Sequence, residues 1–251
     1  MEGYTIAEDF KLPSKGKIYN KVVNPVGKLR SMTTEEEMKR LGHSDSPFKM
    51  LSEIIDDCSL NEIGLSAYDL CESDYQYLLY RLRIVTYGSE YPVTTICPVC
   101  GTKNDQTINL DKLKINEYDE ELGKYLEIDL PVTKKHLKLR VRTPRLLDWV
   151  TRKTNEFAEK TKSDKVEGSA FLFNIISLIE KVDDEVLDEF KLEAFVRKLP
   201  AGDSNYILQC ANKLNFGLET SIECKCNNPK CKANYRAQIP ITGEFFRPTI
   251  D

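Results

Sequence analysis

The chain has 251 residues, of which 41% are hydrophobic and 30% are charged. This is enough apolar material for one large or two modest cores, so the composition excludes a chain that is disordered throughout. The 36 basic and 40 acidic residues give a net charge of -4. Because proteins that bind phosphate backbones usually carry a basic excess, the balance does not favour a nucleic-acid-binding protein.

The first ten residues lack the charged start and apolar run of a signal peptide. The longest nearly apolar stretch, residues 170–179, is much shorter than a membrane span. We therefore expect a protein that stays in a reducing cytoplasm and contacts no membrane. In that compartment cysteine thiols bind metal or fill cores more often than they form disulfides.

Residues 1–30 lack helical periodicity and are interrupted by prolines and glycines. A loosely ordered terminus and an extended docking arm both fit this pattern. The docking arm is favoured because it gives a role to four apolar side chains that a solvated tail would not need: Phe10, Leu12, Ile18 and Tyr19.

Residues 31–90 are predicted to form helices. The segment Thr33–Glu37 contains two overlapping capping boxes that open the first helix. Pro47 suits the first position of a second helix, which runs to about Cys58. Ser73 is predicted to cap a third, strongly amphipathic helix, and Gly88 to end it.

Residues 91–142 contain the first of two cysteine pairs and a predicted β-hairpin around Pro131. The pair lies in the sequence Cys97-Pro98-Val99-Cys100-Gly101, a knuckle whose two thiolates can chelate one tetrahedral ion. The glycine allows a left-handed turn that aims backbone N–H groups at sulfur. The hairpin carries three basic residues on one face, interpreted as a solvated face or as a surface for an acidic partner: Lys138, Arg140 and Arg142.

Residues 143–217 are predicted to be helical again. Pro144 begins the first of these helices, and the apolar face of the next continues to Val182. Pro200 stops a third helix, and Asp203 is predicted to cap the last one, which ends near Gly217.

Residues 218–251 contain the second cysteine pair and a tail. Cys226 and Cys231 bracket an Asn-Pro turn that favours tight reversal of the backbone. Cys224 lies two residues before Cys226 and could replace it as a ligand. Elsewhere, Cys58 and Cys210 continue apolar helical stripes and are interpreted as small buried side chains, whereas Cys71 gives no further signal.

The two pairs together supply the ligand set of a structural zinc ribbon: Cys97, Cys100, Cys226 and Cys231. Between Cys100 and Cys226 lie 125 residues, whereas a compact ribbon has roughly 15–20 there. The alternatives are a ribbon split by a large insertion, or two unrelated pairs that serve as core thiols or as a redox pair. Alternating residues on both sides of each pair predict a hairpin tip and favour the split ribbon.

Four thiolates leave no coordination position open for a substrate, and the chain has only two histidines. No P-loop, dinucleotide-binding or hydrolase motif is present. The zinc is therefore expected to be structural and the protein not to be an enzyme. A zinc-ribbon nucleic-acid-binding or transcription factor is the main alternative, and a zinc hydrolase is a weaker one.

The predicted fold class is α+β and mainly helical, with helices flanking a small zinc-ribbon-like β module built from two distant knuckles. An extended N-terminal docking arm covers residues 1–30. A single zinc-clasped domain covers residues 31–251.

Several short motifs, in this order along the chain, resemble those of the baseplate hub assembly proteins of T-even-type (T4-like) contractile-tailed phages. The motifs are Leu12-Pro-Ser-Lys-Gly-Lys-Ile-Tyr19, Met32-Thr-Thr-Glu-Glu-Glu37, the segment from Asp74 through Leu82-Arg83-Ile84 to Tyr87-Gly88, the first knuckle, Leu199-Pro200-Ala201 with Asp203, Phe216-Gly217, Cys226 to Cys231, and Phe245-Phe246-Arg247-Pro248. Cys224 departs from the pattern and leaves the second ligand pair open.

The resemblance implies a non-enzymatic late phage protein that is made in the host cytoplasm. Such a protein would help to build the central hub of the baseplate, as an assembly factor or chaperone or as a subunit retained in the virion. Its implied partners are other baseplate and hub proteins, with no nucleic acid and no small-molecule substrate.

Overall fold

A computed structural model describes residues 6–42, 44–161, 166–239, 241 and 243–246. Its α-helices are α1 (Thr34–Leu41), α2 (Pro47–Cys58), α3 (Glu72–Tyr87), α4 (Pro144–Thr161), α5 (Val166–Leu178), α6 (Glu189–Lys198) and α7 (Ala201–Lys213). Its strands are β1 (Ala7–Lys11), β2 (Val26–Arg30), β3 (Glu90–Ile96), β4 (Lys103–Asn109), β5 (Ile115–Asn116), β6 (Glu127–Asp129), β7 (His136–Leu139), β8 (Ile179–Val182), β9 (Gly217–Leu218), β10 (Ser221–Lys225) and β11 (Asn234–Gln238).

The strands form small antiparallel sheets and no large one within these residues. Four are two-stranded, β1–β2, β3–β4, β5–β9 and β10–β11, and the fifth has the order β6–β7–β8. The mixture of helix and strand agrees with the predicted α+β class. No helix in the described part of the chain has the length and apolar content needed to cross a bilayer.

The helix starts in the first third of the chain follow the predicted signals closely. The Glu36 carboxylate accepts a hydrogen bond from the backbone N–H of Thr33 at 2.7 Å, as a capping box requires. Pro47 is the first residue of α2. Helix α3 begins at Glu72, slightly earlier than a Ser73 cap implies, and ends at Gly88, where φ is +86°.

The N-terminal segment differs from the prediction of an extended docking arm over residues 1–30. Residues 1–5 lie outside the described residues, but β1 pairs with β2 along five residue pairs. Phe10 and Leu12, two of the predicted anchors, are 4% and 1% exposed in a core that also contains Leu29. Because β1 and β2 pair with each other and Phe10 and Leu12 are buried, this part of the segment packs into the core rather than extending from it. A docking role for the segment stays a prediction.

Two predictions for the second half of the chain are also corrected. The apolar face expected to continue as a helix to Val182 ends at Leu178, and residues 179–182 form β8 against β7 instead. Asp203 does not cap α7, whose N-cap is Pro200. The Asp203 carboxylate instead accepts hydrogen bonds from the backbone N–H groups of Val132 and Thr133, at 2.8 and 2.9 Å, and holds the β6–β7 turn.

The predicted basic stripe contacts the chain itself. Lys138 forms an ion pair with Glu180 at 3.4 Å, and Arg140 donates to the carbonyl oxygen of Ile179 at 2.6 Å. Burial lowers the pKa of the Arg140 guanidinium. Arg140 is nevertheless exposed and Lys138 is half-buried, so the face is still partly solvated although its cations have partners within the chain.

The buried apolar side chains form two main clusters. The first lobe, residues 6–113 together with 217–246, combines β1, β2, α2, α3 and β3 with Ile239, Phe245 and Phe246 from the end of the chain. The second lobe, residues 125–211, combines the three-stranded sheet with α4–α7. That residues 31–251 form a single zinc-clasped domain stays a prediction.

A buried hydrogen-bond network within the first lobe joins the Leu12–Tyr19 motif to α3. The Asp74 carboxylate accepts from the backbone N–H of Ser14 at 2.9 Å, from the Ser14 hydroxyl, and from the Tyr19 hydroxyl at 2.6 Å. Gly16 has a φ of +74°, and a Cβ there would lie 2.9 Å from the Val23 carbonyl oxygen, so only glycine suits the turn. The Leu12–Tyr19 motif thus closes over the start of α3.

Apolar and polar contacts join the two lobes, and we call this region the junction. Cys71, Tyr118 and Phe216 form a small third cluster. Arg145 of α4 donates to both carboxylate oxygens of Asp69, at 2.6 and 2.8 Å. The junction therefore joins segments from the beginning, middle and end of the chain.

Candidate metal centre

The first knuckle is carried by the β3–β4 hairpin, and a buried arginine fixes where that hairpin starts. Arg83 on α3 is fully buried and donates to the carbonyl oxygens of Gly88 and Glu90, at 2.6 and 3.2 Å. Its guanidinium lies over the rings of Tyr87 and Tyr91. These contacts tie the end of α3 to the beginning of β3.

The second knuckle is carried by the β10–β11 hairpin, which the end of the chain anchors to the first lobe. The ring of Phe245 packs 4.8 Å from that of Tyr80 and 5.3 Å from that of Tyr91, measured between centroids. Phe245 is fully buried. Tyr91 also borders Arg83, so both hairpins are held by neighbouring parts of one core.

The structure brings the four predicted ligand cysteines together. The sulfur atoms of Cys97, Cys100, Cys226 and Cys231 all lie within 4.8 Å of one another. The Sγ–Sγ distance is 3.9 Å for Cys97 and Cys231, and 3.5 Å for Cys100 and Cys226. Tetrahedral zinc with Zn–S bonds of about 2.3 Å places its sulfurs roughly 3.8 Å apart, so this donor set fits the ion.

Both knuckles are built the same way despite their different lengths. The residue after the second cysteine has positive φ in each: Gly101 at +73° and Lys232 at +52°. The first cysteine donates its backbone N–H across the turn in each, from Cys97 to Thr102 and from Cys226 to Ala233, both at 2.9 Å. The left-handed residue turns the chain back toward the sulfur.

Two of the four thiols have opposite pKa shifts. Hydrogen bonding with Thr102 lowers the pKa of Cys100 to about 6, whereas burial raises the pKa of Cys226 to about 12. A divalent cation among the sulfurs would favour the thiolate form of all four, because its charge compensates theirs. A divalent cation is therefore a suitable counter-charge for this cluster.

Asn104 is a supporting residue that the sequence analysis did not identify. Its side chain, 3% exposed, donates to the Tyr235 hydroxyl at 3.0 Å and accepts from the backbone N–H of Asn227 at 2.6 Å. It therefore links the first hairpin to the second knuckle. The sequence did contain one indication of this role, because Asn104 is a polar residue at an inward position of an alternating strand. The alternation does not show which residues it would contact.

The remaining cysteines lie apart from this cluster. Cys224 is 5% exposed, and its sulfur accepts a hydrogen bond from the Gln106 side chain at 3.0 Å. Cys58, Cys71 and Cys210 are buried within the three apolar clusters, and the Cys71 sulfur also accepts a hydrogen bond from the Tyr19 hydroxyl at 3.1 Å. Among the described residues, Cys226 and not Cys224 belongs to the group that could hold a metal.

The one histidine among the described residues, His136, does not add a ligand. His136 lies in the second lobe, where Nδ1 is 3.0 Å from an Asp129 carboxylate oxygen, and this hydrogen bond raises the pKa of the imidazole. His43 lies outside the described residues. The donor set is therefore four sulfurs, a set typical of closed structural sites.

Comparison with known proteins identifies a family for almost the whole chain. The family model described as T4 bacteriophage base plate protein matches residues 4–247. No curated protein and no solved structure matches the chain.

Proposed function

Because the chain belongs to the T4 bacteriophage base plate protein family, we propose that it takes part in assembling the central hub of the baseplate through contacts with other baseplate proteins. The family match carries this proposal, since it spans almost the whole chain. The order of the short motifs supports the narrower assignment to hub assembly.

The proposed role is non-enzymatic. The family is one of baseplate proteins, and the four-sulfur cluster provides support because four thiolates fill a tetrahedral shell and leave no position for a substrate or water. We assign Cys97, Cys100, Cys226 and Cys231 to one structural zinc ion. The ion would hold the two hairpins together.

The proposed place of action is the host cytoplasm, where the baseplate is built. There the chain acts either as an assembly chaperone that leaves or as a subunit that stays in the tail. These two roles predict the same early partners and differ only in the finished particle.

Co-expression with each baseplate protein of the same phage, followed by size-exclusion chromatography, tests the proposal. We expect a stable complex with at least one hub protein. Mass spectrometry of purified virions then separates a retained subunit from a chaperone. If the chain binds no baseplate protein, the proposed function is wrong.

Metal analysis of the purified chain tests the zinc assignment separately. We expect one zinc per chain in the wild type and in Cys224→Ser, and none in Cys226→Ser. Zinc in Cys226→Ser but not in Cys224→Ser would reverse the assignment of the second ligand pair. A wild type without bound metal would refute the zinc site.

A further inference from the structure

Exposed aliphatic side chains flank the four-sulfur cluster. Ile96 and Val99, next to Cys97 and Cys100, are 62% and 71% exposed. Large aliphatic residues at the surface are common when scattered, but these two lie in or beside one knuckle. Their side chains face solvent, whereas the inner side of the cluster is occupied by Asn104 and its hydrogen-bond partners.

Lysines surround the same end of the two hairpins. Lys225 precedes Cys226, and Lys230 and Lys232 lie on either side of Cys231, while Lys103 is the cross-strand partner of Ile96. All four lysines are exposed, and none forms an ion pair with a carboxylate in the part of the chain that the structure describes. We call these six residues the knuckle tip: Ile96, Val99, Lys103, Lys225, Lys230 and Lys232.

Two acidic residues, fewer than the four lysines, lie near the knuckle tip, and neither forms an ion pair with those lysines among the described residues. On the same hairpins, Asp105 accepts a hydrogen bond from the Thr94 hydroxyl at 2.6 Å. Glu223 lies opposite Arg236, which itself pairs with Glu219 at 3.2 Å. The chain carries a net charge of -4, so this end is basic on a protein that is acidic as a whole.

The lysines lie on opposite sides of the tip. The inner faces of the hairpins meet through the hydrogen bond between Thr95 and Tyr235, at 2.7 Å. Ile96 and Lys103 alternate with Thr95 and Asn104 and therefore point outward from the first hairpin. Lys225 points outward from the second hairpin by the same argument. A flat partner would contact one side only, whereas a concave one would contact both.

We propose that the knuckle tip docks into a concave, acidic surface of another baseplate protein. This inference rests on the proposed function and names the partner chemistry of one surface. Aliphatic side chains within a charged rim are a usual composition for a protein interface, and opposite charge on the partner would guide the encounter. Nucleic acid fits less well, because the knuckle tip contains no aromatic side chain for stacking and no arginine.

Charge reversal tests the proposal on the full chain. The test variant is Lys230→Glu with Lys232→Glu. The matched control is Lys112→Glu with Lys114→Glu, two exposed lysines with the same spacing beyond the other end of β4. Affinity is measured for each baseplate protein that binds the wild type, at several salt concentrations. A double-stranded DNA fragment serves as a separate probe.

The test variant is expected to bind its baseplate partner at least about tenfold more weakly than the wild type, with a smaller salt dependence, and the control to stay within about twofold. Metal content is measured in every variant. If the test variant loses its zinc, Lys103→Glu with Lys225→Glu replaces it, because neither side chain belongs to a knuckle turn.

Three outcomes would overturn the inference. A zinc-loaded tip variant that binds as tightly as the wild type would remove the knuckle tip from the interface while leaving the proposed function intact. Binding of the DNA fragment that depends on these lysines would identify a nucleic-acid surface instead. If no baseplate protein binds the wild type, the proposed function fails and this inference fails with it.

Discussion

The two lobes are built from the chain in different ways. The second lobe takes its core from one continuous stretch, residues 125–211, in which sheet and helices follow one another. The first lobe takes its core from both sides of that stretch and needs Ile239, Phe245 and Phe246 from the end of the chain. One lobe can form locally, whereas the other must first bring distant segments together.

The cysteine cluster joins the two distant segments that the first lobe needs. Bringing Cys226 to Cys100 closes a loop of about 125 residues, and the entropy cost of closure rises with loop length. A metal bound by both knuckles would offset that cost for the first lobe. None of the second lobe's core residues comes from the two knuckle hairpins. We therefore expect metal dependence in one lobe only.

The largest effect is expected for Cys100→Ser. Loss of the metal should lower the unfolding free energy of the first lobe by about 5 kcal/mol or more, because zinc binding to such sites is also folding free energy. Hydrogen exchange should show lost protection in β3, β4, β10 and β11 and retained protection in β6–β8. Unchanged zinc content and melting would contradict the assignment, and Cys224→Ser is the matched control.

Replacing a buried leucine by alanine in each lobe tests whether the metal stabilises the first lobe alone. Leu29 and Leu137 are 1% and 0% exposed, so Leu29→Ala and Leu137→Ala should each cost about 2–5 kcal/mol. With a zinc chelator present, the effect of Leu137→Ala should persist, whereas that of Leu29→Ala should shrink because its lobe is already loosened. Chemical denaturation with and without chelator measures this. Equal shrinkage of both effects would show that the lobes unfold as one.

The pH dependence of the first lobe should include a contribution from Glu36. A hydrogen bond from Arg30 lowers the pKa of this carboxyl from 4.5 to about 2. Its stabilisation is therefore complete above pH 4.5 and is lost as the pH falls toward 2. Glu36→Gln should cost about 1–3 kcal/mol at pH 7, and the difference from wild type should shrink below about pH 5.

The measurement for this prediction is the free energy of unfolding of wild type and variant at each pH, taken as a difference so that acid release of the metal cancels. Glu35→Gln, an exposed change on the same helix, is the control and should show no such trend. A Glu36→Gln difference that is constant to pH 3 would contradict the role of the Arg30 contact.

The smallest effect is expected at the junction. Arg145 is 55% exposed by its side chain and lies 4.5 Å from the Tyr68 ring in addition to its pairing with Asp69. Arg145→Ala should cost only about 0.5–1 kcal/mol, since water and salt screen exposed pairs. Calorimetry should nevertheless show a larger difference between the unfolding temperatures of the two lobes. Arg152→Ala, whose partner Glu156 lies on the same helix, should not separate them.

Local patterns predicted local structure well. The capping box at Thr33, the proline at position 47 and the alternation around each cysteine pair each specify structure within a few residues, and α1, α2 and the two knuckle hairpins follow them. The resemblance to phage baseplate proteins is likewise confirmed by the family match. That the four clustered sulfurs bind zinc stays a prediction.

Pairings between distant segments were not predictable in the same way. Residues 179–182 continue an apolar run, and only the nearby edge of β7 makes them a strand. Residues 7–11 were interpreted as part of an arm because nothing in their own sequence identifies Val26–Arg30 as a partner. The partners of Asp74 and Asn104 are 60 and 123 residues away, beyond the reach of any periodicity.

The separation of the two knuckles has a consequence for synthesis on the ribosome. At about 5–20 residues per second, roughly 7–25 s pass between the appearance of Cys100 and that of Cys231. During this interval the second lobe can fold, whereas the first two ligands have no partners. We expect chains released before residue 226 to bind zinc far more weakly than complete ones, which metal titration of such a fragment would check. Metal uptake would thus distinguish finished polypeptides from aborted ones before they meet a growing tail.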